Sequence, residues 1–461
     1  MDDKRQKIQL ELAFPARGRG EAPTLAGEGS EPPMAKRETK SPAFIESLME
    51  EVCEQENLKK AYKRVKSNKG SPGIDGMTVD ELGDYLKEHW PTHREQLLTG
   101  SYKPKPVRRV EIPKAGGGMR KLGIPTVLDR FIQQAVMQVL QERWDKTFSE
   151  QSFGFRPGRS AHQAVAKAQE YVAQGNHFVV DMDLEKFFDR VNHDILMDRI
   201  AKRVADKRCL RLIRAFLTAG VMENGLVSST DEGTPQGGPL SPLLSNIMLD
   251  DLDKELERRG HRFVRYADDA NIYVGSKRAG HRVMESITHF LTKKLKLKVN
   301  GEKSAVAKVG ERGFLGFSFL ILKEPRRRIA PRALRRFKKR VRELTRRTRS
   351  INIGQMVKHL STYLTGWRGY FAYSELPSTL RDLDSWVRRR LRCVVWKQWK
   401  QSRTRFMELR RRDVNKDLAA KTAGSARGPW NLSRSPALSF ALPNAYFHSL
   451  GLPTLAVRRI A

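Results

Sequence analysis

Short apolar runs separated by polar turns mark the middle of the chain. Phe263-Val264 and Ile272-Tyr273-Val274 bracket Tyr266-Ala267-Asp268-Asp269, the layout of a β-hairpin with acids at its tip. Upstream, His177 to Leu184 alternates as a strand does, with Phe178, Val180 and Met182 on one face and Val179, Asp181 and Asp183 on the other. Ala115-Gly116-Gly117-Gly118 reads as a glycine-rich turn joining two further strands. Farther along the period changes. After Pro331, a good first-turn residue, Leu334, Phe337, Val341 and Leu344 recur at helical spacing. Arg335, Arg336, Lys338, Lys339, Arg340 and Arg342 cover the rest of that helix, which suits either a membrane surface or a polyanion. There is no heptad run, no solenoid repeat and no apolar run long enough to span a bilayer, so no membrane partner is expected.

The acids carry the first chemical hypothesis. Adjacent like charges at a hairpin tip are unfavourable unless something positive holds them, and hard oxygen ligands at a tight turn suit Mg²⁺. Asp181 and Asp183 point the same way, so at least one could meet Asp268 and Asp269 across a sheet. Such carboxylates can hold two Mg²⁺ ions roughly 4 Å apart, the arrangement of metal-dependent phosphoryl transfer. Taken alone, the tetrapeptide fits an ordinary solvated turn better. Lys114 and Arg120 flank the glycine-rich turn, and cations brought together by a hairpin suit a triphosphate. Gln236 lies in a Gly/Pro-rich loop where backbone can approach a ligand closely.

Charge agrees with a nucleic-acid partner. Lys and Arg number 87 against 52 acids, a formal charge of +35 that binds polyanions with strong salt dependence. The excess is concentrated: residues 321–461 hold 34 Lys/Arg and 8 Asp/Glu, or +26 of the total. Residues 1–41 are rich in Gly, Pro, Glu and Arg with few large apolar groups, the composition of a disordered arm. Cysteines stand only at 53, 209 and 393, a spacing that builds no paired-Cys metal site and gives no reason to expect disulfides. A reducing cytoplasmic setting fits.

Several ordered blocks resemble the group II intron-encoded reverse transcriptase/maturase family of bacteria. They are Asn57-Leu58-Lys59 through Gly70-Ser71-Pro72-Gly73-Ile74-Asp75-Gly76, Ile112-Pro113-Lys114 through Arg120 to Thr126, Gln151 to Gly158, the Asp183 segment, Gly233 to Pro242, the Tyr266 to Asp269 tetrapeptide, Lys303-Ser304 and Gly313 to Phe317. The resemblance implies an α+β right-hand polymerase fold, with fingers and palm over 42–325, a helical thumb or maturase domain X over 326–405, and a basic segment over 406–461 that contacts DNA. It implies Asp183, Asp268 and Asp269 as metal-binding catalytic carboxylates, with Asp181 only a neighbour on the same face. It implies Phe188 as a ring beneath the incoming sugar that excludes a 2′-hydroxyl, one of Phe187 and Phe188 being core. Lys114, Arg120 and Gln236 are placed beside nucleotide and template, and Lys303 as a proton donor to pyrophosphate.

In the basic helical region, Trp367, Trp386 and Trp396 are expected in the core. Arg335, Arg336, Lys338, Lys339, Arg388, Arg389 and Arg390 are expected on intron RNA. Many relatives end in a Cys/His endonuclease, for which this chain offers no cysteine pair, so a primer from a replication fork is expected. The expected function is RNA-directed DNA synthesis together with assistance to splicing of the parent group II intron RNA, with dNTPs and target DNA as further partners. Other bacterial reverse transcriptases (retron, CRISPR-associated or defence types) and a catalytically silent splicing factor are the alternatives; the sequence leaves the oligomeric state open.

Overall fold

A computed structural model describes residues 47–113, 118–223, 226–228, 232–234, 237–346 and 351–456. The expected disordered arm, together with Lys114 and Gln236, lies outside the described residues. Strands and helices are mixed as expected, an α+β fold whose C-terminal third is helical. The chain divides into two compact units, one formed by 1–160, 182–270 and 282–304, the other by 161–181, 271–281 and 305–461.

In the first unit, helix Gln55–Asn68 buries Leu58, Ala61 and Val65 along one stripe and ends where Lys69 turns left-handed at φ 46°. It lies against helix Val127–Trp144, where Asn57 Nδ2 donates to the Ala135 carbonyl (3.1 Å) and Gln138 Nε2 donates to Asn57 Oδ1 (2.6 Å). That second helix starts at a Thr126 cap whose hydroxyl accepts from the Asp129 amide. Asp129 is buried but satisfied, accepting from the Thr126 and Tyr102 hydroxyls and the Lys105 amide. Helix Ser241–Arg258 is buried along most of its length, from Leu243 to Leu256. Strands Val107–Pro113 and Met119–Ile124 form the expected hairpin, in register from Arg108 opposite Ile124 to Pro113 opposite Met119. Val221–Glu223 adds to it in parallel.

The second unit pairs strand residues Phe178 to Asp181 antiparallel with Ala305–Lys308. Strand Phe317–Leu320 returns as Arg326–Ile329. Helix Pro331–Leu344 begins at the expected proline and buries Ala333, Phe337 and Val341. Phe337 meets Trp367 of helix Ile353–Phe371 at 4.4 Å, Trp367 meets Phe371 at 4.6 Å, and Phe371 reaches the fully buried Phe317 at 5.4 Å. Helix Pro377–Gln398 carries Asp384, whose carboxylate accepts from the Leu455 and Ala456 amides at 2.9 and 3.0 Å. Leu455 and Ala456 are thereby tied to this helix, and position 405 falls inside helix Ser402–Arg410. Cys53, Cys209 and Cys393 are buried and form no disulfide, burial pushing the Cys53 thiol up to about 12. Among the described residues no helix is long and apolar enough to cross a membrane.

Candidate active site

Strand Arg262–Tyr266 leads into the acidic turn and Asp269–Val274 leads out. The turn is tight: Ala267 has φ 58°, and a Cβ on Gly154 would stand 2.1 Å from the Ala267 nitrogen, so only glycine lets that loop lie so close. The residue that fixes the turn is one the sequence reading passed over. Arg265 is fully buried, and its Nε and Nη2 reach the two Asp253 oxygens at 2.7 and 2.6 Å. Nη1 donates to Asn246 Oδ1 (2.9 Å) and the Ala267 carbonyl (2.8 Å), while Nη2 also donates to Ser152 Oγ (2.8 Å). Every donor of the guanidinium is thus used, which is the condition for burying it. The available signal was an arginine inside the apolar run Phe263 to Tyr266, where a charge is out of place unless paired.

Asp183 follows the strand Phe178–Met182. Its amide donates to Ser304 Oγ at 2.9 Å, its carbonyl accepts from the Asn300 amide at 2.8 Å, and Lys303 Nζ lies 3.4 Å from its Oδ2. Asp268 is half-buried and Asp269 exposed. Burial raises the Asp268 carboxyl above its ordinary value, and the charge of Asp183 raises it further, against the lowering effect of Arg120 and Arg265. Asp183 and Asp268 therefore feel one another, although burial is the larger cause of the shift. Among the described residues no group of three His, Cys, Asp or Glu is placed so that it could hold a metal ion. What is present is a hard-oxygen donor set whose mutual repulsion a divalent cation would relieve. Asp181 belongs to the other unit, where its partner is Arg312 at 3.1 Å. The strand alternation put it on the Asp183 face, but the strand ends at Met182, so two-residue spacing no longer fixes where Asp183 points.

A cavity of about 330 Å³ is lined by Asp268, Arg120, Leu122, Phe155, Phe188 and Ser241, among others. In the short 3-10 turn Phe187–Asp189 the two rings meet edge to face at 5.3 Å but differ in burial: Phe187 is 2% exposed, while Phe188 is half-exposed and lines the cavity.

On helix Pro331–Leu344, Arg335, Arg336 and Lys339 are exposed and Lys338 is half-exposed. Arg388 is half-exposed too. Arg389 and Arg390 are engaged within the protein. Arg389 stacks 3.7 Å from the Trp430 ring centroid and donates to Ser433 Oγ, and Arg390 donates to the Thr345 hydroxyl at 2.7 Å. Trp367 and Trp396 are core as expected, but Trp386 is half-exposed with Lys338, Arg342 and Arg390 within 5.9 Å of its ring. Its helix turns that side chain toward the basic stripe, where cations cover the ring face instead of apolar neighbours.

A paired-strand finger, an acidic hairpin beside a nucleotide-sized cavity and a basic helical module define a template-copying nucleic-acid polymerase. Comparison with known proteins names the kind. Residues 112–319 match the reverse transcriptase (RNA-dependent DNA polymerase) family and residues 334–412 the group II intron maturase-specific domain. Protein YkfC of Escherichia coli K12 is 33% identical over 316 residues, 60% of this chain and 82% of YkfC. The group II intron-encoded protein LtrA of Lactococcus lactis subsp. cremoris is 31% identical over 327 residues, 57% of this chain and 54% of LtrA, so the chain spans about half of that relative. Among solved structures, a chain of a partial Cas6-RT-Cas1–Cas2 complex is similar over 54% of this chain and 43% of its own length, at 24% identity and a TM-score of 0.35. The chain belongs to the group II intron-encoded reverse transcriptase/maturase family, and its polymerase domain is an RNA-directed DNA polymerase.

Proposed function

We propose that the chain copies its parent group II intron RNA into DNA at the cavity beside Asp268, and that it binds the same RNA to promote splicing. The observation that carries the reading is the joint presence of Asp268, Arg120 and Phe188 on one cavity, with the Asp183 charge acting on Asp268. Asp183, Asp268 and Asp269 would hold two Mg²⁺ ions. When bound, these activate a primer 3′-hydroxyl and neutralise the leaving pyrophosphate. Arg120, with Lys114, takes the triphosphate oxygens, for which a guanidinium fork is well matched. Phe188 lies under the sugar and excludes a 2′-hydroxyl, Gln236 stands beside nucleotide and template, and Lys303, paired with Asp183, supplies a proton toward pyrophosphate.

The exposed cations Arg335, Arg336 and Lys339, with the half-exposed Lys338, Arg388, Arg389 and Arg390 beside them, contact RNA phosphates, Arg389 and Arg390 also bonding within the protein. In this reading the intron RNA carries the splicing chemistry, target DNA receives the copy, and the protein works in the bacterial cytoplasm and on the nucleoid.

The test is primer extension on an RNA template with dNTPs and Mg²⁺, beside intron splicing with the same preparations. Asp268→Ala/Asp269→Ala should abolish extension, as chelation of Mg²⁺ should, and leave splicing assistance intact. A well-folded wild type that does not extend, or a double variant that loses both activities together while still folded, refutes the assignment.

A further inference from the structure

Phe155 is a bulky residue at φ 61°, in the left-handed region that such side chains rarely adopt, and it is 43% exposed. Both features are unfavourable for the free protein, and the surrounding chain enforces them. Phe153 N–H donates to the Arg265 carbonyl at 2.9 Å, and Gly154 is pressed against the catalytic hairpin turn. On the other side, the 7%-exposed Arg156 is locked by Nε to Asp145 Oδ1 (2.8 Å) and by Nη1 to the Ser149 and Ser152 carbonyls (2.6 and 3.0 Å). The Phe155 carbonyl accepts from Gln141 Nε2 at 3.2 Å. A strained position held this firmly from both sides points to use of the side chain it presents.

Where that side chain lies supplies the use. The cavity of about 330 Å³ holding Asp268 and Phe188 and a second cavity of about 710 Å³ share Phe155, Gly237, Gly238 and Pro242 as a common wall. The larger one is lined by Arg64 and Arg130, and Arg130 Nε and Nη2 are buried with no hydrogen-bond partner among the described residues. Arg64 and Arg130, two guanidinium-bearing walls of this groove, suit the phosphate oxygens of a nucleic-acid strand. One cavity thus fits an incoming nucleotide and the other a strand, and the ring stands where the two meet.

We infer that Phe155 is a specificity-determining residue, the aromatic platform on which the templating base stacks while it pairs with the incoming nucleotide. This rests on the polymerase reading of the smaller cavity. Stacking on the ring holds the templating base in one plane, so a mismatched pair that tilts the base gives up that stacking.

Single-nucleotide incorporation on RNA templates tests it, with Phe155→Ala, Phe155→Tyr and Phe155→Gly, opposite a normal template base and opposite an abasic position. Phe155→Gly removes the ring while relieving the left-handed strain, so it keeps the test open if Phe155→Ala folds poorly; thermal unfolding monitors this. Loss of one base stack predicts a fall in kcat/KM of about ten- to a hundred-fold for Ala and Gly opposite a normal base. Tyr should retain near wild-type values, and opposite the abasic position all variants should match the wild type. Equal losses on both templates, or no loss on either, overturn the inference. Absence of any incorporation by the wild type would instead overturn the polymerase reading itself.

Discussion

Replacing Arg265 by Met removes the buried cation beneath the acidic hairpin while keeping much of its volume. The structure gives the consequence. Asp253, 0% exposed, loses both of its charge-assisted hydrogen bonds, and Asn246 Oδ1, Ser152 Oγ and the Ala267 carbonyl lose theirs. Breaking a buried pair on one side costs about 3–5 kcal/mol, chiefly from the carboxylate left uncompensated. That is a large part of the roughly 5–15 kcal/mol by which domains are stable, so Arg265→Met should fold with a much lower urea midpoint. Replacing both partners, Arg265→Met with Asp253→Leu, should cost clearly less than the sum of the single changes.

The pH dependence carries a definite sign. Burial already raises the Asp253 carboxyl above its ordinary value, with Arg265 opposing, so the variant raises it further. A raised carboxyl favours the folded state below its unfolded value of about 3.9, and that contribution is lost as pH rises through the folded value. The deficit of Arg265→Met should therefore be largest near neutrality and shrink on acidification. Urea unfolding across pH measures this. A loss below about 1 kcal/mol at pH 7, or a deficit that grows as pH falls, would refute the role given to the pair.

Phe188→Val should fold normally and raise NTP use relative to dNTP by roughly ten- to two-hundred-fold, the scale on which a pocket rejects one small group; unchanged discrimination in competitive incorporation removes the gate. Arg335→Ala/Arg336→Ala/Lys339→Ala should weaken intron RNA binding and flatten the log-log salt slope by about 0.7–0.9 for each phosphate no longer neutralised, leaving short-primer extension unchanged. An unaltered slope by filter binding would exclude that face. Burial depresses the His93 imidazole below its ordinary value, though Gln96 opposes this. Stability from keeping that ring neutral is present above an unfolded value of about 6.5 and lost as pH falls through the folded value, so His93→Gln should flatten the decline in thermal midpoint below pH 6.5.

Much of this protein is legible in its sequence because the signals are local. A strand alternates, a helix repeats every 3.6 residues, and a hairpin needs two apolar runs and a turn, so strands Arg262–Tyr266 and Asp269–Val274 and helix Pro331–Leu344 follow from nearest neighbours alone. Charge is a sum over residues, and the basic character of the C-terminal third needs no structure. Residue type also announced the acids, because carboxylates side by side at a turn ask for a cation.

Partner choice is a different matter, since it depends on which distant side chains folding brings within 3 Å. Nothing local assigns Arg265 to Asp253 and Ser152, Asp181 to Arg312, or Arg389 to Trp430. Arg388, Arg389 and Arg390 are adjacent, chemically identical and all half-exposed, yet folding gives Arg389 and Arg390 partners on quite different segments, Trp430 and Thr345. Phe187 and Phe188 likewise differ in burial although their rings meet within one short turn. The sequence determined which chemistry is available and on what kind of element; the tertiary structure decided which groups are held, because burial makes an unpaired polar group costly and so enforces one set of partners.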